Sequence, residues 1–276
     1  MEQNLFTNIN GALSRTDATI LKSSDESLRA RYGVYETILL REGQLELKEL
    51  HWQRLWQGME ALGFARPAHW DATFFEEQIE ALAAINGVVH LARIRLQIYA
   101  AKDKAPFEPQ YWIESIGIPL SMTLWQDKGL HLGFLDGYYK PMIAESNCKI
   151  SHSPHIPLAK QAMLANAWDD VLLLNTLGNV IESAIANLFW IKDGMLYTPP
   201  LSEACLAGTM RAYLLQQFSK LRIPCAEQAL NEASLLAADE VFLCNGIRFM
   251  RWVAQIGSVQ YGNALTRQYY DALKKM

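Results

Sequence analysis

Lys149 lies in Glu145-Ser-Asn-Cys-Lys-Ile150, between a cysteine and an isoleucine, a setting that turns an amine inward more often than most. A desolvated lysine loses basicity and becomes a nucleophile suited to Schiff-base chemistry. A lone lysine is more commonly a surface charge, and both readings stand at this point. Glu182 follows Val180 and Ile181 and precedes Ser183, Ala184 and Ile185. An acid inside such an apolar run needs a cation or hydrogen bonds, and a pyridinium nitrogen is one cation that would serve.

Three further clusters could do chemistry. Ala207-Gly-Thr-Met-Arg211 opens an amphipathic stretch carrying Met210, Leu214, Leu215, Phe218 and Leu221. A Gly-Thr pair at a helix start offers backbone N–H groups at the positive end of the dipole, a natural phosphate site; an ordinary N-cap is the commoner role of such a pair. His51 and Arg54 stand three apart on a helical pattern, so they share a face beside its apolar stripe. That is the usual place for the edge of a solvated face, although an arginine there could reach inward to a phosphate. Cys148, His152 and His155 fall close together, but the spacing C-x3-H-x2-H lacks a fourth ligand and matches no common zinc motif. No metal site is expected from them.

Val34–Leu40 is a strand, Arg41–Gly43 a hairpin turn, and Gln44–Leu47 pairs back. From Lys48 to Leu62 the period becomes helical, with Trp52, Leu55, Trp56, Met59 and Leu62 on one face and Gly63 as the stop. A second helix spans Phe74–Ala84. His90–Tyr99 alternates, with Ala92, Ile94, Leu96 and Ile98 on one side and Arg93, Arg95, Gln97 and Tyr99 on the other. Strands follow near Leu130–Phe134, Asp170–Leu174, Ala186–Ile191 and Glu240–Cys244, with helices at Pro157–Ala167 and Thr209–Leu221. Asn175–Asn179 is a turn cluster. Adjacent strands are too frequent for a purely alternating parallel sheet, so the expected class is α+β. The weakly periodic residues 118–128 are read as a linker between domains at 1–117 and 129–276.

Composition removes other classes. The chain has 276 residues, 50% of them hydrophobic and 20% charged, which excludes disorder. A net charge of -4 lacks the basic excess of nucleic-acid binding, and no apolar window is long enough for a membrane helix. Four dispersed cysteines without C-x-x-C, and no apolar leader in the first residues, suggest a cytoplasmic protein. No G-x-G-x-x-G, Walker A, G-x-S-x-G or H-E-x-x-H occurs.

Taken together, the order Gly33-Val-Tyr-Glu-Thr-Ile38, His51-Trp-Gln-Arg-Leu55, Lys149, Asp169–Pro200, Cys205–Arg211 and Ala238–Asn245 resembles the class IV aminotransferase family. These are the pyridoxal-phosphate enzymes of fold type IV, which include branched-chain and D-amino-acid aminotransferases and 4-amino-4-deoxychorismate lyase. The resemblance runs from Asn10-Gly11 to about Gly257, and the 33-residue step from Lys149 to Glu182 is its most specific part.

The resemblance implies a two-domain fold type IV enzyme, D-amino-acid aminotransferase-like, that works as a homodimer with pyridoxal 5'-phosphate at the domain interface. Lys149 would form the aldimine link and move the proton. Glu182 would pair with the pyridine nitrogen and Arg54 with the phosphate. Gly208, Thr209 and Met210 would hold the phosphate from the helix start, with Asn245 in the loop completing the cradle. Tyr35, Arg93, Arg95 and His152 are candidates for substrate binding. For Arg93 and Arg95, salt bridges on an outer sheet face are an equally good reading.

Within the family, Leu188-Phe-Trp-Ile-Lys-Asp-Gly-Met-Leu-Tyr-Thr-Pro199, Ala238–Asn245 and Met210 resemble the lyase branch. Transamination of a small amino acid is the alternative. Arg95–Lys102 lacks the family's Arg-Gly turn and the Arg-x-His pair of D-amino-acid aminotransferases, and His152 stands where many relatives carry Asn. A non-catalytic homologue is the third possibility, and the intact set of Lys149, Glu182 and Arg54 argues against it.

Overall fold

A computed structural model describes residues 5–17, 32–100 and 107–275. Contacts divide the chain into two units: residues 1–123 with 148–152, and residues 124–147 with 153–276. The division falls between Thr123 and Leu124. The sequence-based bounds differ from the observed ones at Cys148–His152, which leave the second unit and join the first. The reason is backbone pairing: Tyr35 N donates to Lys149 O at 2.9 Å and Ser151 N donates to Gly33 O at 2.8 Å.

The first unit, among the described residues, carries an antiparallel sheet in the order β2-β1-β6-β5-β3-β4. Its strands are β1 (Phe6–Ile9), β2 (Ala12–Arg15), β3 (Gly33–Arg41), β4 (Gln44–Leu45), β5 (Leu91–Ala100) and β6 (Pro109–Gly117). Between β4 and β5 come α1 (Lys48–Ala61) and α2 (Ala72–Ile85). Alternation decides which face the helices cover. Val34, Ile38 and Leu40 of β3 and Ala92, Ile94, Leu96 and Ile98 of β5 pack with Trp52, Leu55 and Met59 of α1 and Phe75, Ile79 and Leu82 of α2. Asp71 caps α2 by accepting from Phe74 N at 2.8 Å. Gly63 ends α1 with φ +69°, a left-handed position that a side chain would strain.

In the second unit a larger sheet folds onto itself. Its strands are β7 (Leu130–Lys140), β8 (Asp170–Asn175), β9 (Val180–Ser183), β10 (Asn187–Lys192), β11 (Met195–Thr198), β12 (Cys225–Glu227), β13 (Glu240–Asn245), β14 (Phe249–Ile256) and β15 (Val259–Gln260). The order is β12-β11-β10-β13-β14-β7-β8-β9, with β15 on β14. An extra pairing of β9 with β10 closes six of these strands into a barrel, and the closing register is Glu182 opposite Asn187. Helices are α3 (His155–Asn166), α4 (Thr209–Lys220), α5 (Glu232–Leu236) and α6 (Ala264–Lys274). Strand β10 is buried on both faces. Leu188 and Trp190 enter one core, while Phe189 stacks on Phe242 and meets Phe218 of α4 edge-on. None of the eight tryptophans is classed as exposed. Trp70 joins Phe74, Phe75 and Tyr111 in an aromatic cluster, and Trp168 lies against Gly133.

The strand expected at Leu130–Phe134 continues to Lys140, because β7 meets β8 twice with a bulge between Phe134 and Tyr139. The return strand expected at Gln44–Leu47 is only Gln44–Leu45, since Leu47 takes a left-handed conformation and starts α1.

Candidate functional site

The candidate side chains of the first unit occupy both faces of its sheet. On the helix-covered face, Glu36 alternates with Val34 and Ile38 and is 1% exposed. An unpaired carboxylate there would be very costly. Two side chains of α1 answer it. His51 Nδ1 lies 2.6 Å from Glu36 Oε2, and Arg54 Nε donates to Oε1 at 2.8 Å while its Nη2 donates to Oε2. Burial pushes the Glu36 carboxyl up, but the charges of and hydrogen bonds from Arg54 and His51 outweigh it and bring it to about 2. The paired contact fixes the plane of the Arg54 guanidinium. His51 and Arg54 are thus buried beneath the sheet, where their spacing had suggested the edge of a solvated face.

On the opposite face, Tyr35 stands beside Gln97 in register. The Arg95 guanidinium lies 4.1 Å from the centre of the Tyr35 ring, and Lys149 Nζ lies 4.5 Å from it. Both contacts draw a cation to the negative π face. Burial lowers Arg95 below its ordinary value, while Tyr35 and Glu114 pull it back up. Its Nε is buried without a hydrogen-bond partner, a donor that an incoming carboxylate would satisfy. Burial raises the Glu114 carboxyl, against the pull of Arg95 and Arg93. Arg93 and His152 are exposed, and Tyr99 is buried. Lys149 itself is half-buried rather than enclosed. The stretch Ala101–Lys102, singled out for lacking an Arg-Gly turn, lies outside the described residues.

In the second unit, Glu182 and Asn187 face each other across the closing pair, and each bonds one backbone group of Leu206. Leu206 N donates to Glu182 Oε2 at 2.8 Å, and Asn187 Nδ2 donates to Leu206 O at 2.9 Å. Lys140, at the end of β7, places Nζ 2.6 Å from Glu182 Oε1. The buried acid therefore has its cation within the protein, a partner the sequence did not reveal. Two residues on, Gly208 is the N-cap of α4, extended and without a side-chain cap. A Cβ on Gly208 would stand 1.8 Å from Asn187 Oδ1, so a side chain here would push the Asn187 amide from its place. Thr209 and Met210 are buried in the first turn. Asn245 uses its side chain to hold its own turn, with Oδ1 accepting from Ile247 N and Arg248 N.

Among the described residues, no three His, Cys, Asp or Glu side chains could hold a metal ion. Of the trio considered from sequence, Cys148 and His152 belong to the first unit and His155 to the second, where its ring packs near Tyr138. No helix among the described residues is long and apolar enough to cross a membrane.

The family model for amino-transferase class IV matches residues 33–256. An aminodeoxychorismate lyase of Vibrio harveyi is 28% identical over 235 residues, 81% of this chain and 82% of that protein. A branched-chain-amino-acid aminotransferase of Escherichia coli K12 is 33% identical over 97 residues, 35% of this chain and 31% of that protein. The crystal structure of an Escherichia coli branched-chain amino acid aminotransferase superposes with a TM-score of 0.88 at 21% identity, covering 99% of this chain and 95% of that one. That likeness establishes the shared fold, two-domain α+β of fold type IV.

Proposed function

The chain belongs to the class IV aminotransferase family of pyridoxal 5'-phosphate enzymes, and we propose that it is a 4-amino-4-deoxychorismate lyase, forming p-aminobenzoate and pyruvate. The observation that carries this branch is the length of the lyase match. Identity to the Vibrio harveyi lyase extends over 81% of the chain, whereas the match to the Escherichia coli K12 transaminase covers 35%.

The residues fit the cofactor chemically. Lys149 offers a primary amine for an aldehyde, half-buried and beside an aromatic ring. Glu182 is a buried carboxylate whose two oxygens can each accept more than the one bond described, so a ring nitrogen can join Lys140 there. The start of α4 at Gly208–Met210 is the positive end of a helix dipole and so favours an anion, and Arg54 is a fixed buried cation. When bound, pyridoxal phosphate supplies the electron sink that stabilises negative charge at the carbon bearing the amino group.

The chain's own residues do the rest. Lys149 Nζ takes the proton from that carbon as general base. Glu182 would pair with the ring nitrogen, and Lys140 Nζ already stands 2.6 Å from its Oε1. Arg95, with Arg93 nearby, receives a substrate carboxylate through the unpartnered Nε, and Tyr35 orients both cations. Aminodeoxychorismate is a dicarboxylate, so two arginines on one strand face suit it. Exposed His152 stands near the end of the Lys149 segment. Asn245 shapes the turn that completes the phosphate cradle. By the same family reading, the enzyme is a cytoplasmic homodimer.

A specific observation favours a second reading, amino-acid transamination: the 33% identity to the branched-chain enzyme, although over 97 residues. The reactions differ in stoichiometry. Elimination yields p-aminobenzoate and pyruvate from one substrate, whereas transamination needs a keto-acid acceptor. Purified enzyme is given aminodeoxychorismate without acceptor, and separately branched-chain or D-amino acids with 2-oxoglutarate. Pyruvate and p-aminobenzoate in the first assay support the lyase; turnover only in the second assigns the transaminase.

A further inference from the structure

Lys149 is carried by a segment with little structure of its own. Residues 149–151 add a single antiparallel bridge, Val34 to Ile150, at the edge of β3 and make two backbone hydrogen bonds to it. Something must fix how this short segment sits, because a small displacement of a reacting amine is costly in rate.

Gln97 of β5 is placed to do this. Its side chain reaches past β3, and its Nε2 lies 2.6 Å from Ser151 Oγ, 3.0 Å from Ile98 O and 3.1 Å from Val34 O. Its Oε1 accepts from Arg95 Nη2 at 3.0 Å. The amide has one allowed orientation, since two carbonyls can only accept and the guanidinium can only donate. Two N–H bonds serve three acceptors, and Ser151 is the nearest. The bridge crosses directly at Gly33: a Cβ there would lie 2.3 Å from Ile98 O, 3.0 Å from Gln97 Nε2 and 3.1 Å from Ser151 Oγ. Glycine at 33 leaves room for the amide, and Gln97 is 6% exposed.

We propose that Gln97 is a positioning residue for Lys149, and that its amide couples the lysine-bearing segment to Arg95. This rests on the reading of Lys149 as the cofactor-binding lysine. Its Nε2 end holds Ser151, two residues from Lys149, and its Oε1 end holds the guanidinium assigned to the substrate carboxylate. A carboxylate that draws Arg95 away from Gln97 therefore acts on the same side chain that seats the lysine. Among the described residues, the charged groups on this face include Arg93, Arg95, Glu114 and Lys149, with Arg41 at the far end of β3, and none of them is altered by the variants below.

The test uses the full-length, cofactor-loaded enzyme and three variants: Gln97→Leu, Ser151→Ala and Ser151→Thr. Backbone hydrogen exchange at Ser151 and Tyr35 reads the two bonds that seat the segment. Both amides exchange about fivefold faster in Gln97→Leu and Ser151→Ala, the loss of one hydrogen bond, and stay near wild type in Ser151→Thr. The pH midpoint of the visible band of the Lys149-bound cofactor moves in the first two variants and returns in the third. Ser151→Ala lowers kcat with KM unchanged, whereas Gln97→Leu also raises KM because Arg95 loses its partner. Unchanged exchange and midpoint in Gln97→Leu, with a normal wild-type band, overturn the role of Gln97 alone. A wild-type enzyme with no visible band overturns the reading of Lys149 on which it rests.

Discussion

Lys140 Nζ and Glu182 Oε1 are 2.6 Å apart, with 14% and 8% of their side chains exposed. A buried carboxylate that loses its only described cation costs about 3–5 kcal/mol. Lys140→Met should therefore lower the melting temperature of the cofactor-free protein. A pyridine nitrogen would replace the missing cation, so added pyridoxal phosphate should raise the melting temperature by more in Lys140→Met than in wild type. Equal shifts would show that the ring nitrogen does not meet Glu182.

The Glu36 network makes an acid-stability prediction. A carboxyl held at about 2, below its ordinary value of 4.5, contributes fully to stability above 4.5 and loses that contribution as the pH falls toward 2. The effect is on the order of 3 kcal/mol. Urea unfolding across that window should show wild type losing stability steeply. Glu36→Gln starts lower, because Arg54 and His51 lose their charge partner, and falls less. Parallel curves would remove Glu36 as the source.

Gly208→Ala should weaken the cofactor site. The added Cβ would stand 1.8 Å from Asn187 Oδ1, so Asn187 must move and release Leu206 O. That displaces the first turn of α4. Cofactor titration should give a Kd raised by about tenfold, equivalent to ~1.4 kcal/mol. An unchanged Kd would mean that this turn does not hold the phosphate.

Much of this arrangement was legible in the sequence, and the rest was hidden by distance along the chain. Alternation in β5 separated Ile94 and Leu96 from Arg95 and Gln97, as found. The helical stripe placed Trp52, Leu55 and Met59 in the core. What it did not show was who partners whom. Glu36 could have been flagged, since an acid on the core-facing side of a strand demands a cation, and the adjacent helix carries two. Lys140 was obscured because the bulge in β7 breaks the strand pattern before it reaches Glu182. Gln97 looked like an ordinary polar strand residue, and only the fold brings it to Ser151, 54 positions on. The closing pair Glu182–Asn187 likewise depends on a barrel that no local pattern encodes.

Arg95 and Arg93 carry separable expectations. Arg95 is partly buried with an unpartnered Nε, while Arg93 is exposed. Arg95→Ala should raise KM for the amino substrate by tenfold or more, about 1.4 kcal/mol, with Arg93→Ala smaller. Steady-state kinetics with aminodeoxychorismate measures both. An unchanged KM in Arg95→Ala would remove it from the substrate site.

Borohydride reduction followed by peptide mapping tests the central claim most directly. If Lys149 is the cofactor-binding lysine, reduction bleaches the visible band and fixes the pyridoxyl group to the peptide carrying Lys149, and Lys149→Ala abolishes the label. Labelling of Lys140 or another lysine instead, or no label on a protein given excess pyridoxal phosphate, would contradict the assignment.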